Sequence, residues 1–180
     1  MNHPIKFGTD GWRAVIGEDY TFNNVRLVAQ ATADYFSRKL ARKTLKKIVV
    51  GYDRRFLSDE FAAATAEVLI GNGFEVVLSK SPVPTPAVSW HTAREKCRAG
   101  IMITASHNPA RFNGYKIKLH HGGPADPDTC RAIENLIGTN PVRATPLKGK
   151  EAKIKDLLPE YFKALKKLVN FEVISKSKLN

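Results

Sequence analysis

Residues 48–52, 74–78 and 99–104 are short, nearly continuous apolar runs, and stretches of helical spacing separate each from the next. A strand that is apolar on both faces must be covered on both, as in a sheet with helices above and below. The pattern predicts a three-layer α/β/α sandwich with a mixed, mostly parallel sheet.

The intervening stretches fit that plan. From Asn23, the positions Val25, Val28, Ala29, Thr32, Phe36 and Leu40 recur at helical spacing, with Asn23 or Asn24 as the expected N-cap. Ser58 is the expected cap of a second helix bearing Phe61, Thr65, Val68 and Leu69, which Gly71 and Gly73 end. The turn at 81–86 holds Pro82, Pro84 and Pro86 and leads into a third helix reaching Glu95. A further strand is expected over 112–119 and an amphipathic helix over 126–137; segment 5–17, broken by Gly8, Gly11 and Gly17, reads as a loop followed by a strand. These elements make 1–140 one domain. Residues 141–155 lose periodicity and gain Pro141, Pro146, Gly149 and four lysines, which reads as a linker. Helical spacing returns through Leu157, Phe162, Leu165 and Leu168, so 156–180 is expected to open a truncated second domain. A helix packed back on the first domain is the alternative.

Bulk properties narrow the function. The net charge is +12, divided evenly between 1–140 and 141–180. Its densest cluster, Arg38, Lys39, Arg42, Lys43, Lys46 and Lys47, falls at a helix end and the loop after it, where positive charge suits the helix dipole. No aromatic side chains interleave with it as a stacking platform requires, so nucleic acid is not an expected partner. No apolar run is long enough to span a bilayer, and the N-terminus lacks the apolar core of a secretory signal. No membrane partner and a cytoplasmic location are expected. Cys97 and Cys130 form no CxxC pair, which argues against a disulfide or zinc framework.

The chemistry-bearing stretch is Thr-Ala-Ser-His-Asn-Pro at 104–109, directly after the third apolar run. A small-residue loop at the end of a buried strand presents the Ser106 hydroxyl to a ligand. Three roles are open to it: a nucleophile with His107 as base, a turn cap with Asn108 and Pro109, or a carrier of a phosphoryl group. The last role needs cations and close backbone nearby. Phe-Gly-Thr-Asp-Gly-Trp-Arg at 7–13 offers a glycine turn ending in Arg13, and Phe-Asn-Gly-Tyr-Lys at 112–116 offers Lys116. Other tempting residues have plainer readings. His120 and His121 point to opposite faces if they lie in a strand, Asp53-Arg54-Arg55 suits an internal salt bridge shaping the turn toward Ser58, and Trp12 and Trp90 suit packing.

Taken together, FGTDGWR, GYDRR at 51–55, TASHNP and FNGYK resemble the N-terminal domain of the α-D-phosphohexomutase superfamily, in its phosphoglucomutase/phosphomannomutase branch. The resemblance covers 5–140. It implies reversible phosphate transfer between the 1- and 6-positions of a hexose phosphate, glucose or mannose, through a hexose 1,6-bisphosphate, with Ser106 as the phosphoserine. It implies Lys116 in acid/base or charge-stabilising work on the sugar hydroxyl, His107 as a donor or proton carrier beside the phosphate, and Arg13 at the phosphoserine region. It also implies Mg²⁺ bound to the Ser106 phosphate, with its aspartate ligands in a DGDxDR loop of the second domain. No such loop occurs in the 180 residues, nor do the sugar-reading and C-terminal phosphate-binding loops. The chain is therefore expected to be a fragment whose partners are the remaining domains, and to be inactive alone. A phosphoglucosamine mutase domain, or a non-catalytic module binding anionic sugars or a partner subunit, is the alternative.

Overall fold

The computed structural model describes residues 5–38, 46–148 and 152–177. Leu40 and the 39–43 part of the basic cluster lie outside the described residues, as do 149–151 of the expected linker.

The chain runs β1 (Trp12–Val15), α1 (Phe22–Arg38), β2 (Lys47–Tyr52), α2 (Ser58–Gly71), β3 (Glu75–Ser79), α3 (Thr85–Arg94), β4 (Ala99–Ile103), β5 (Phe112–Leu119), α4 (Pro127–Glu134), β6 (Ala152–Lys155), α5 (Leu158–Leu168) and α6 (Phe171–Lys176). Six strands form one sheet in the order β1-β5-β4-β2-β3-β6. β4, β2, β3 and β6 are mutually parallel, while β5 runs antiparallel to β4 and β1 antiparallel to β5. The sheet is mixed and mostly parallel, as the apolar runs require.

Alternate residues of the central strands feed two cores. Ile48, Val50, Val76, Leu78, Ile101 and Ile103 join the larger core with buried residues of α1, α2 and α4. Val49, Val77 and Met102 face the other way, against Val83, Ala87 and Val88 around α3. That second face is drawn tight by glycines: a side chain at Gly51 would collide with Val88 and one at Gly100 with Thr92.

Local details differ from the sequence expectation. α1 begins at Phe22, and the Thr21 hydroxyl accepts the Asn24 N–H at 3.3 Å, so the cap falls earlier than Asn23 or Asn24. Ser58 does not cap α2; Leu57 stands at the N-cap with φ 58°, and the Ser58 hydroxyl instead donates to Asp53. Asp126 does open α4, its carboxylate accepting the Thr129 N–H at 2.8 Å.

The larger difference is at 141–155. Its last four residues are not linker but β6, paired parallel to β3 from Val76–Ala152 to Ser79–Lys155. Leu157 is fully buried in the α3-side core, and its carbonyl accepts from His91 Nε2 at 2.8 Å. Trp90 meets Tyr161 edge-on at 6.5 Å. The chain after the expected linker thus returns to the first domain, although α5 and α6 bury no residue of their own.

Candidate active site

The Ser106 loop springs from the C-terminal end of β4. Thr104 N–H still donates to Gly114 O across the β4–β5 pair, but the chain then turns sharply and Ser106 adopts φ 59°. A left-handed backbone at a non-glycine residue is costly and persists only where its surroundings fix it. Two neighbours do so. Ser106 N–H donates to the Thr104 hydroxyl at 2.9 Å, and that hydroxyl donates to Asp53 Oδ2 at 2.5 Å. Ser106 itself is exposed.

Arg55 holds the loop from outside. Its guanidinium donates to four backbone carbonyls: Ser106 (2.8 Å), Asn108 (2.7 Å), Pro109 (2.9 Å) and Phe112 (3.0 Å). Asp53 lies 3.3 Å from Arg55 Nε and also accepts the Ser58 hydroxyl and the Arg55 N–H. The expected Asp53–Arg55 bridge is present. Its second function, clamping a loop some fifty residues away, has no local signature in GYDRR.

Arg13 sits on β1 opposite Gly114 of β5, and its Nη1 donates to Asn108 Oδ1 at 2.8 Å. Directly paired residues in an antiparallel ladder share a face, and so do residues two apart on a strand. Arg13, Gly114, Lys116 and Lys118 therefore lie on one face of the sheet edge. Lys116 is 3% exposed, and its ammonium meets Asp10 Oδ2 at 2.5 Å. Gly11, at φ 102°, lets the 7–13 turn close on β5: a Cβ there would stand 2.5 Å from Tyr115 O and 3.0 Å from Lys116 Cγ. Burial pushes the Asp10 carboxyl up, yet Lys116 and Lys118 outweigh it and hold its pKa below the ordinary value.

The fold thus brings Arg13 to the Ser106 loop and sets Lys116 on the same sheet face. No hydrogen bond joins either cation to the Ser106 hydroxyl among the described residues. His107 is exposed, with no hydrogen-bond partner among those residues. Its side chain is free to approach a ligand, and no pairing with Ser106 supports a Ser–His nucleophile. Trp12 is buried and stacked on Tyr20 at 4.7 Å, a packing role as expected.

Two carboxylates flank the site, and both are committed, Asp53 to Thr104, Ser58 and Arg55 and Asp10 to two lysines. Among the described residues, the carboxylates nearest the Ser106 loop are thus already paired, where magnesium favours six oxygen donors with one or two carboxylates among them. These residues alone do not make a magnesium site. Elsewhere, His91, Glu95 and Glu160 bring three donor atoms within 4.8 Å of one another. Lys155 Nζ lies 2.8 Å from Glu95 and 3.1 Å from Glu160, so both carboxylates already have a cationic partner. His120 and His121 lie beyond the end of β5 with their rings edge-on at 5.2 Å. Cys97 and Cys130 are free and buried.

Residues 4–143 match the family described as "Phosphoglucomutase/phosphomannomutase, alpha/beta/alpha domain I". The chain belongs to that family. It is 37% identical over 142 residues to a probable phosphoribomutase of Schizosaccharomyces pombe, a match covering 77% of this chain and 24% of that protein. Human glucose 1,6-bisphosphate synthase is 33% identical over 201 residues, covering 97% of this chain and 31% of its own length. A putative phosphomannomutase from Thermus thermophilus superposes with a TM-score of 0.84 at 40% identity, covering 97% of this chain and 38% of the other. The chain therefore spans roughly a quarter to two fifths of these relatives. It is the N-terminal α/β/α domain of the mutase family, and its relatives include enzymes named phosphoglucomutase. Among the described residues, no helix is long and apolar enough to cross a membrane.

Proposed function

We propose that this mutase domain carries the phosphoryl group of a phosphohexomutase on Ser106. In that reading the phosphoserine donates to a hexose phosphate, and the resulting hexose 1,6-bisphosphate returns its other phosphoryl to Ser106. The observation that carries the reading is the Ser106 loop itself. An exposed alcohol stands at the end of a buried strand, held in a left-handed turn by Arg55 and Thr104, with Arg13 beside it. Preorganised donors and a fixed nucleophile are what in-line phosphoryl transfer demands, since positioning and charge neutralisation do most of the work there.

Arg13 and Lys116 are assigned to binding the phosphate, Lys116 also to charge stabilisation or proton transfer at the sugar hydroxyl, and His107 to a hydrogen bond or proton at the phosphate. Magnesium would bind the Ser106 phosphate oxygen with carboxylates supplied from outside this chain. The partners are a hexose phosphate, its bisphosphate and the enzyme's further domains, toward which α5 and α6, with no buried residue of their own, would turn their exposed apolar side chains; the setting is cytoplasmic.

Intact-mass analysis after incubation with glucose 1,6-bisphosphate tests the assignment. One added phosphate is expected, mapping to Ser106 and absent from Ser106→Ala. Glucose 1-phosphate should not be turned over to glucose 6-phosphate by the 180 residues alone. Phosphate gained by Ser106→Ala to the same extent would sink the reading.

A further inference from the structure

Asp10 faces two ammonium groups with two different oxygens. Oδ2 meets Lys116 Nζ at 2.5 Å, and Oδ1 lies 3.4 Å from Lys118 Nζ. The lysine side chains are 4% and 7% exposed and the carboxylate 35%, so two nearly buried cations share one half-open anion. Arg13 adds a third positive charge on the same face. The cluster carries an excess of positive charge, which favours a further anion. The tight contact is to Lys116 and the loose one to Lys118. The turn that carries Asp10 is closed at its base by Gly8 N–H to Gly11 O at 2.9 Å, and a depression of about 310 Å³ opens beside Lys6, Thr9, Asp10 and Arg13.

A phosphate brought to Lys116 would meet Asp10 as a like charge on the same ammonium. The second lysine resolves the conflict, since it offers the carboxylate another partner without leaving the face. We propose that Asp10 is a positioning residue that holds Lys116 at rest and passes to Lys118 when a phosphoryl-bearing ligand arrives. Lys118 is then the receiving cation of an internal exchange. This inference rests on the phosphate-handling role of Lys116 proposed above.

The test is binding of inorganic phosphate to the 180-residue chain, followed by NMR titration. Asp10→Asn should bind phosphate more tightly, on the order of tenfold, because the competing carboxylate is gone. Asp10→Glu should keep wild-type affinity. Lys118→Met should weaken binding severalfold in the wild-type background and have little effect in Asp10→Asn. A Lys118 that acts only through its charge would instead weaken both backgrounds equally, and that result overturns the proposal. A readout needing no substitution is the wild-type chain itself. Added phosphate should move the Asp10 Cγ and Lys118 Cε resonances together with Lys116 Cε, whereas movement at Lys116 with Asp10 and Lys118 unchanged would refute the exchange. Lys116→Met separates the two levels. If it binds phosphate as well as wild type, the role of Lys116 fails; if it alone abolishes binding while Asp10→Asn changes nothing, only the exchange fails.

Discussion

Arg55 Nη2 donates to the carbonyl of Ser106 at 2.8 Å, so the turn after β2 fixes the backbone of the residue proposed to carry phosphate. The same guanidinium serves three more carbonyls of the loop, and a planar fork with five donors is suited to that task. Arg55→Met should cost about 1–3 kcal/mol in denaturant unfolding, because carbonyls that lose a charged donor must find water in a half-buried site. Hydrogen exchange over 104–112 should rise more than elsewhere. Arg55→Lys should recover only part of the loss.

Thr104 acts through one oxygen, which accepts from Ser106 N–H and donates to Asp53. Thr104→Val keeps the shape and removes both bonds. The expected cost is about 1–3 kcal/mol, with slower phosphorylation of Ser106 by glucose 1,6-bisphosphate at unchanged fold. Circular dichroism and the mass assay together check this. Thr104→Ser should restore both values nearly to wild type.

Gly11→Ala combines a disfavoured φ of 102° with a Cβ 2.5 Å from Tyr115 O. Backbone must move, and Asp10 moves with it. A loss of about 2–4 kcal/mol is expected in thermal or denaturant unfolding. Gly17→Ala is the control: φ there is 86°, but nothing lies within 4 Å, so only the torsional cost of about 1 kcal/mol should be seen.

Glu95 gives the seam with β6 and α5 an acid limit. Burial raises its pKa, but hydrogen bonds from Lys155 and His91 and the nearby Lys47 bring it down from 4.5 to about 2. A carboxylate depressed on folding stabilises the protein above its unfolded value and loses that contribution as pH falls through the folded one. Stability should therefore decline between about pH 4.5 and 2. Glu95→Gln should flatten that limb and cost about 1–2 kcal/mol near neutrality, allowing for solvent screening of the lysines. Denaturant midpoints across that range measure both effects.

Much of this was readable from the chain. Apolar runs fixed the central strands because burial on both faces leaves no polar alternation to confuse them, and TASHNP announced its loop because a strand end followed by small residues has few other uses. β6 was not readable. Its sequence, Ala-Lys-Ile-Lys, is an edge strand in which Lys153 and Ile154 are exposed and Lys155 is half-buried, and in composition that is indistinguishable from a charged linker. The apolar stripe predicted the helix α5 but not its packing: Phe162 and Leu168 are 49% and 83% exposed, while Leu157, just before the helix, is the residue that is buried. At the site, Arg55, Thr104 and Asp10 were missed or given smaller roles. Each acts on a partner from another strand or loop; Asp10 and Lys116 are 106 residues apart. Short motifs say which residue types are present, and only the antiparallel return of β5 says which of them meet.

The left-handed turn at residue 106 also dictates which alcohol can serve there. Threonine would bring the same oxygen, but its branched β-carbon crowds the neighbouring backbone at positive φ far more than the CH₂ of serine does. A chain carrying threonine at this point would either relax the loop and misaim its oxygen, or keep the aim at the expense of folding. Torsion thus favours serine over threonine at this bend before any reaction takes place.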